Sequence, residues 1–186
     1  MKTLRLYPTD PIYELAWPLS NPDINLNSPA CEIFTDFSSV KPLIIEAITP
    51  VDEAQNLMKR AHVRMKLVID QSGNFSGLVS LDDLQAQEIM KKLAEGATKE
   101  DLTVTDFMRR RDQLKAFDYA DIKRSSVGDI VISLEHSGQQ HCLVVYKCTH
   151  QIRGVISASD ITRKLKLPID IGTESTFSNI FSVLHH

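Results

Sequence analysis

No run of apolar residues in this chain approaches the ~20 that a membrane-crossing helix requires, although 42% of its 186 residues are hydrophobic. The opening Met1-Lys2-Thr3-Leu4-Arg5-Leu6 leads straight into Tyr7-Pro8-Thr9-Asp10-Pro11. No apolar stretch follows the early charge, so no secretory leader is expected. Cysteine is scarce: Cys31, Cys142 and Cys148 make an odd count without framework spacing, which fits free thiols in a reducing cytoplasm. An excess of positive charge is missing too. With 21 Lys and Arg against 24 Asp and Glu the formal net charge is −3. That balance argues against nucleic acid or an anionic membrane as partner, since no broad positive field exists to draw phosphates in. The chain also lacks a Gly-rich phosphate loop ending in Lys-Ser or Lys-Thr, a His-Glu-x-x-His helix and a Gly-x-Ser-x-Gly elbow. These absences point to a stand-alone cytoplasmic binding protein with no obligatory cofactor, rather than to an enzyme.

What is present is organised. Residues 1–27 hold Pro8, Pro11, Pro18 and Pro22 and read as an extended arm, because proline fixes φ and removes amide donors. Leu43-Ile44-Ile45 is a short apolar run that suits a buried strand. Thr49 can then cap a helix with Pro50 at its first position, and Val51, Ala54, Leu57, Met58 and Ala61 form its apolar stripe. Met65–Ile69 and Phe75–Val79 read as two strands around the turn Asp70-Gln71-Ser72-Gly73-Asn74. A helix is expected from Ser80 to Ala94, stopped by Gly96.

The same order then recurs. Leu114–Tyr119 reads as a strand, Ser126 caps a helix, Cys142–Tyr146 and Gln151–Ile156 form a hairpin, and Ser157 opens a helix that ends before Pro168. A gapless shift of 77 residues places Leu67-Val68-Ile69 on Val144-Val145-Tyr146, Gly77 on Gly154, Ser80 on Ser157 and Asp83 on Asp160. Matched Gly, Ser and Asp within matched apolar strands mark an internal duplication. Boundaries follow: the arm 1–27, a first repeat 28–97, a second 98–167 and a tail 168–186. In the tail, Phe177, Ile180, Phe181, Val183 and Leu184 suit a short amphipathic helix.

The duplicated segments are Gly77-Leu78-Val79-Ser80-Leu81-Asp82-Asp83 and Gly154-Val155-Ile156-Ser157-Ala158-Ser159-Asp160. Each places a strand end against an expected helix start. Gly77 and Gly154 suit close approach of a ligand or another backbone. A hydroxyl and amides suit a phosphate, and an Asp one turn on suits the paired hydroxyls of a ribose. The bland alternative is that Ser-x-x-Asp is a plain capping pattern; it recurs at Thr49–Asp52, Thr98–Asp101 and Ser126–Asp129, where no ligand is expected.

On these segments, with the run Val68–Asp83 and the lead-in Val104-Thr105-Asp106-Phe107-Met108, the chain resembles a tandem pair of cystathionine β-synthase (CBS) domains, a Bateman module, over roughly residues 28–167. The resemblance implies an α/β (α+β) fold of two β-α-β-β-α repeats packed through their sheets. It also implies an adenosyl ligand in the clefts (AMP, ADP, ATP or S-adenosylmethionine) and a homodimer read by an effector protein. Carried over, Ser80 with Asp83 and Ser157 with Asp160 would hold ribose and phosphate. Arg64 occupies the family's basic position before the second strand, where the second repeat has His141. Arg109, Arg110 and Lys115, with Arg111 beside them, are further candidates for phosphate contacts. The alternative is a structural or interaction module that kept the fold without a ligand. His141, Cys142, Cys148 and His150 match no closed zinc spacing, so no metal is assigned. Asp82 and Asp83, adjacent on a helix, would face different ways and not form an acid/base pair.

Overall fold

The computed structural model describes residues 23–168 and 176–184. Most of the expected N-terminal arm and the final His185 and His186 lie outside them. The elements in chain order are β1 (Phe34–Asp36), β2 (Ile44–Glu46), α1 (Val51–Arg60), β3 (Met65–Ile69), β4 (Phe75–Ser80), α2 (Ala86–Ala94), β5 (Arg109–Arg110), β6 (Ala116–Asp118), α3 (Tyr119–Ile122), α4 (Val127–Ser133), β7 (His141–Tyr146), β8 (Gln151–Ser157), α5 (Ala158–Lys164) and α6 (Phe177–Leu184).

They form two four-stranded sheets of one topology, ordered β2-β3-β4-β5 and β1-β8-β7-β6. In each, a parallel pair (β2 with β3, β6 with β7) adjoins an antiparallel hairpin (β3 with β4, β7 with β8). The parallel pairs require a crossover, which α1 and α4 supply. The hairpin strands are apolar on both faces because both faces are covered. In β3, Val68 enters the core beneath the first repeat's helices while Leu67 meets the other sheet; in β8, Ile156 and Val155 divide the same way. Leu67, Leu78, Leu143 and Val155 thus make a small apolar layer between the sheets, the side-chain period of 2 read out in space.

The fourth strand of each sheet is exchanged. β1, from the start of the first repeat, pairs antiparallel with β8 of the second, and β5, from the start of the second, pairs with β4 of the first. The two glycines of the duplicated segment permit this. A Cβ on Gly77 would lie 2.4 Å from the Arg109 carbonyl oxygen, and one on Gly154 2.2 Å from that of Thr35. The close approach expected at Gly77 and Gly154 is therefore made by backbone.

Several expectations shift. Helix α1 starts at Val51, with Pro50 rather than Thr49 at the cap and no side-chain cap bond; proline has no amide to donate, and its fixed φ also suits this flanking place. Its buried stripe is Val51, Ala54 and Met58, whereas Leu57 is exposed. The helix expected from Ser80 begins six residues later, at Ala86. The Ser126 cap is as expected: its hydroxyl accepts from the Asp129 amide, and Asp129 accepts in return from the Ser126 amide. In the tail, α6 buries Phe177 and Ile180 in the second repeat's core, against α4 and α5.

Candidate functional site

The two Ser-x-x-Asp segments adopt different hydrogen bonding. In the first, Ser80 is almost wholly buried. Asp83 Oδ2 accepts from the Ser80 amide at 2.8 Å and from the Ser80 hydroxyl at 2.6 Å, while the Ser80 oxygen accepts from the Asp83 amide at 3.2 Å. Arg109 closes the remaining side, its guanidinium 3.3 Å from Asp83 Oδ1. Residues 81–85 are turn rather than helix. Here the capping alternative describes the geometry: hydroxyl and carboxylate satisfy each other and the local backbone.

In the second, Ser157 flanks α5, and its hydroxyl makes no cap bond; it points instead to the Ser159 oxygen, 3.5 Å away. Asp160 lies one turn on, one carboxylate oxygen held by Arg163 at 2.6 Å. Both residues line a cavity of about 430 Å³ between the two repeats. Its apolar wall is built from both sheets and includes Leu43, Val63, Leu67 and Val155; its polar edge includes Arg64, Arg163, Ser157 and Asp160. This volume lies within the range of small-molecule sites, and an apolar wall with a few convergent polar groups is their usual make-up. Arg64 reaches the edge from the first repeat, with its guanidinium bonded to both oxygens of Asp82 at 2.9 and 3.1 Å.

His141, the second-repeat counterpart of Arg64, also lines this cavity. It is 7% exposed, and its Nδ1 is buried without a hydrogen-bond partner. Sequence reasoning placed it as a departure from a basic position and set it aside as a metal ligand; the cue was the shift of 77 that aligns it with Arg64. Burial, seconded by the positive charge of Arg109, pushes its pKa down to about 4, against the opposing pull of Asp83 and Asp82. The imidazole is therefore neutral at pH 7.

A consequence can be measured. Between pH 6.5 and about 4 the unfolded chain binds a proton that the folded chain refuses. Stability is then lost as pH falls through that window, by roughly 3 kcal/mol in all. His141→Gln should flatten the dependence of melting temperature on pH between 6.5 and 4; an unchanged slope would show that His141 does not titrate in this way.

The remaining candidates are dispersed. Arg110 lies in β5 and is exposed, and Lys115 is exposed just before β6; neither lines the cavity. A second hollow of about 430 Å³ adjoins Asp83 and Arg109, but Asp82, Glu88, Glu95 and Asp106 share its lining with two lysines, so it offers no net positive seat for a phosphate. Asp82 and Asp83 are turned to separate partners, Arg64 and the Ser80–Arg109 group. Cys31, Cys142 and Cys148 are all free, and burial pushes the Cys142 thiol up to about 12. Among the described residues, no group of three or more His, Cys, Asp or Glu is placed to hold a metal ion, and no helix is long and apolar enough to cross a membrane.

Comparison with known proteins agrees with the fold. The CBS domain family model matches residues 34–90. No curated protein matches the chain at a significant level. Among solved structures, an uncharacterised conserved protein from Pyrococcus horikoshii is 20% identical, with a TM-score of 0.56 over 80% of this chain and 100% of that one. A conserved CBS domain protein of unknown function from Thermoplasma acidophilum is 18% identical, with a TM-score of 0.52 over 82% and 77%. The Arabidopsis thaliana CBS-pair protein CBSX2, in complex with AMP, is 20% identical, with a TM-score of 0.51 over 73% and 94%. A CBS domain is thus matched at 34–90, and with a second sheet of the same topology behind it the chain has the fold of a tandem CBS pair.

Proposed function

We propose that this module is a regulatory sensor that binds one adenine nucleotide or related adenosyl ligand in the 430 Å³ cavity beside Ser157 and Asp160, and that it is not an enzyme. The observation that carries the reading is convergence. Arg64 of the first repeat and Ser157, Asp160 and the unpartnered His141 of the second meet at one hollow with an apolar wall. The wall takes the base, Asp160 accepts from the ribose hydroxyls, and Ser157 with Arg64 and Arg163 receives the phosphate. Arg64, whose own side chain is 62% exposed, would leave its ion pair with the mostly buried Asp82 to do so, and Gln85 remains as a donor to that carboxylate. Ser80 and Asp83 take no part, being spent on each other and on Arg109.

The AMP complex of CBSX2 supports the ligand class. Ligand in a cavity walled by both repeats favours one relative packing of them, and an effector protein reads that shift. We infer a homodimer, with the exposed apolar side chains of Leu57 on α1 and Ile132 on α4 as contacts; a monomeric mass in sedimentation equilibrium would remove this part of the reading. The odd count of free thiols supports a reducing, cytoplasmic setting.

A thermal-shift panel of AMP, ADP, ATP and S-adenosylmethionine tests the ligand. At 100 times Kd, binding adds ~2.7 kcal/mol, a rise of roughly 5–11 °C for a domain of this size. A flat panel would favour a structural or interaction module that holds the fold without a ligand.

A further inference from the structure

The largest cavity among those described, about 710 Å³, opens at the other edge of the inter-sheet interface, where the hairpins turn. Gln151 lines it at the start of β8, whereas Ser157, at the end of that strand, lines the other cavity; the two hollows adjoin at Phe37, which lines both. Phe37, Phe75, Leu114 and Ile152 give it an apolar floor, and Arg111 and Arg153 also line it. No Asp or Glu is among its lining residues.

The duplication shows which side chains are special to this place. By the same shift of 77, Tyr146, His150 and Arg153 stand where the first repeat has Ile69, Gly73 and Ser76. Three positions have thus gained an aromatic or basic group, all at one cavity. His150 keeps a left-handed backbone, φ 53°, at the turn position where Gly73 has φ 81°. A side chain there is strained, and strain of this kind collects at ligand-binding positions. Arg153 is held ready: its Nη2 bonds Asp36 at 2.6 Å, and its guanidinium lies 5.0 and 5.4 Å from the Tyr119 and Tyr146 ring centres. Its Nε is buried without a partner. Arg111 is exposed, and among the described residues its guanidinium makes no hydrogen bond.

We propose that this hairpin-turn cavity is a second ligand site, for a small organic anion with an apolar ring, its carboxylate or phosphate received by Arg111 and Arg153 and its ring by the floor of Phe75 and Leu114. Arg111, together with the donors that Arg153 keeps beyond its pair with Asp36, favours negative charge; the floor selects a ring. The charged groups of this site, Arg111 and Arg153, are not those of the cavity at Ser157 and Asp160, although the two hollows share Phe37, so an anion held at the hairpin turns leaves the Ser157–Asp160 edge free.

The test titrates the full chain by calorimetry with 1-naphthoate and with the neutral 1-naphthamide, each with and without saturating AMP. We expect one equivalent of naphthoate bound in the ~millimolar range usual for a fragment, naphthamide at least tenfold weaker, and no competition from AMP. Arg111→Glu, at an exposed position where no hydrogen bond is lost and the charge of Asp70 is the neighbour affected, should weaken naphthoate at least tenfold. His150→Gly, which restores the first repeat's residue and relieves the backbone, should weaken it while leaving melting temperature equal or higher. Asp160→Ala should leave it unchanged. Absence of binding, equal binding of the amide, indifference to Arg111→Glu, or loss of binding in Asp160→Ala would each overturn the proposal.

Discussion

Asp160→Ala is expected to weaken binding of the best adenosyl ligand about 100-fold while the free protein melts within about 2 °C of the parent. The carboxylate would accept two hydroxyl hydrogen bonds from the ribose, and bonds to a charged acceptor are worth ~1.5–3 kcal/mol each; losing most of that corresponds to about two decades in Kd. Folding loses little, because among the described residues this carboxylate is held by an i,i+3 pair with Arg163, whose side chain is 75% exposed. Asp83→Ala should do the opposite. It removes the acceptor for the Ser80 amide and hydroxyl and the partner of Arg109, so stability falls by ~1–3 kcal/mol while affinity stays within about twofold. Isothermal titration beside thermal denaturation separates the two. Equal losses of affinity in both variants would mean that the Ser80–Asp83 segment opens in solution and that the asymmetry described above does not govern binding.

Gly154→Val is expected to destabilise the protein by about 4 kcal/mol or more, the upper end for overpacking, lowering the melting temperature by roughly 8–16 °C. A Cβ at this position already overlaps the Thr35 carbonyl at 2.2 Å and the Phe34 ring at 2.6 Å, and valine adds two further methyls. Backbone cannot yield as a flexible side chain can. Strand β1 would have to leave β8, with loss of the pairing of Phe34, Thr35 and Asp36 to Ile156, Val155 and Gly154 and partial exposure of Phe34. Loss of amide protection confined to residues 34–36 and 153–156 in hydrogen exchange would show where the damage falls. A melting temperature within about 2 °C of the parent would mean that β1 is not held as described.

The elements were legible where a local rule had no competitor. The strands Met65–Ile69 and Phe75–Val79, the turn between them and the Ser126 cap follow from apolar runs, turn residues and capping chemistry that act within a few residues. Sequence reading failed where a long-range contact outweighed a local preference. Ser80 looked like a helix start, yet Asp83 folds back on Ser80 and Arg109 arrives from 26 residues away to hold it, so the helix waits until Ala86. Strands β1 and β5, Phe34-Thr35-Asp36 and Arg109-Arg110, gave no signal because they carry neither an apolar run nor enough residues for an alternation to show.

The same division runs through the site. Sequence alone determined that there are two copies of one folding unit, that each carries a glycine, a hydroxyl and a carboxylate at fixed spacing, and that the chain holds no catalytic signature and no surplus of positive charge. Those are properties of residue order, and no fold is needed to count them. Only the tertiary structure decided that the glycines admit an exchanged strand, that one Ser–Asp pair is spent on itself while the other faces a hollow, and that His141 is buried there without a partner. These depend on which distant side chain arrives near a motif: Arg109 beside Asp83, Arg64 at the hollow that Ser157 lines. Two matched stretches of sequence carry no information about that difference, because it is made by neighbours they do not contain.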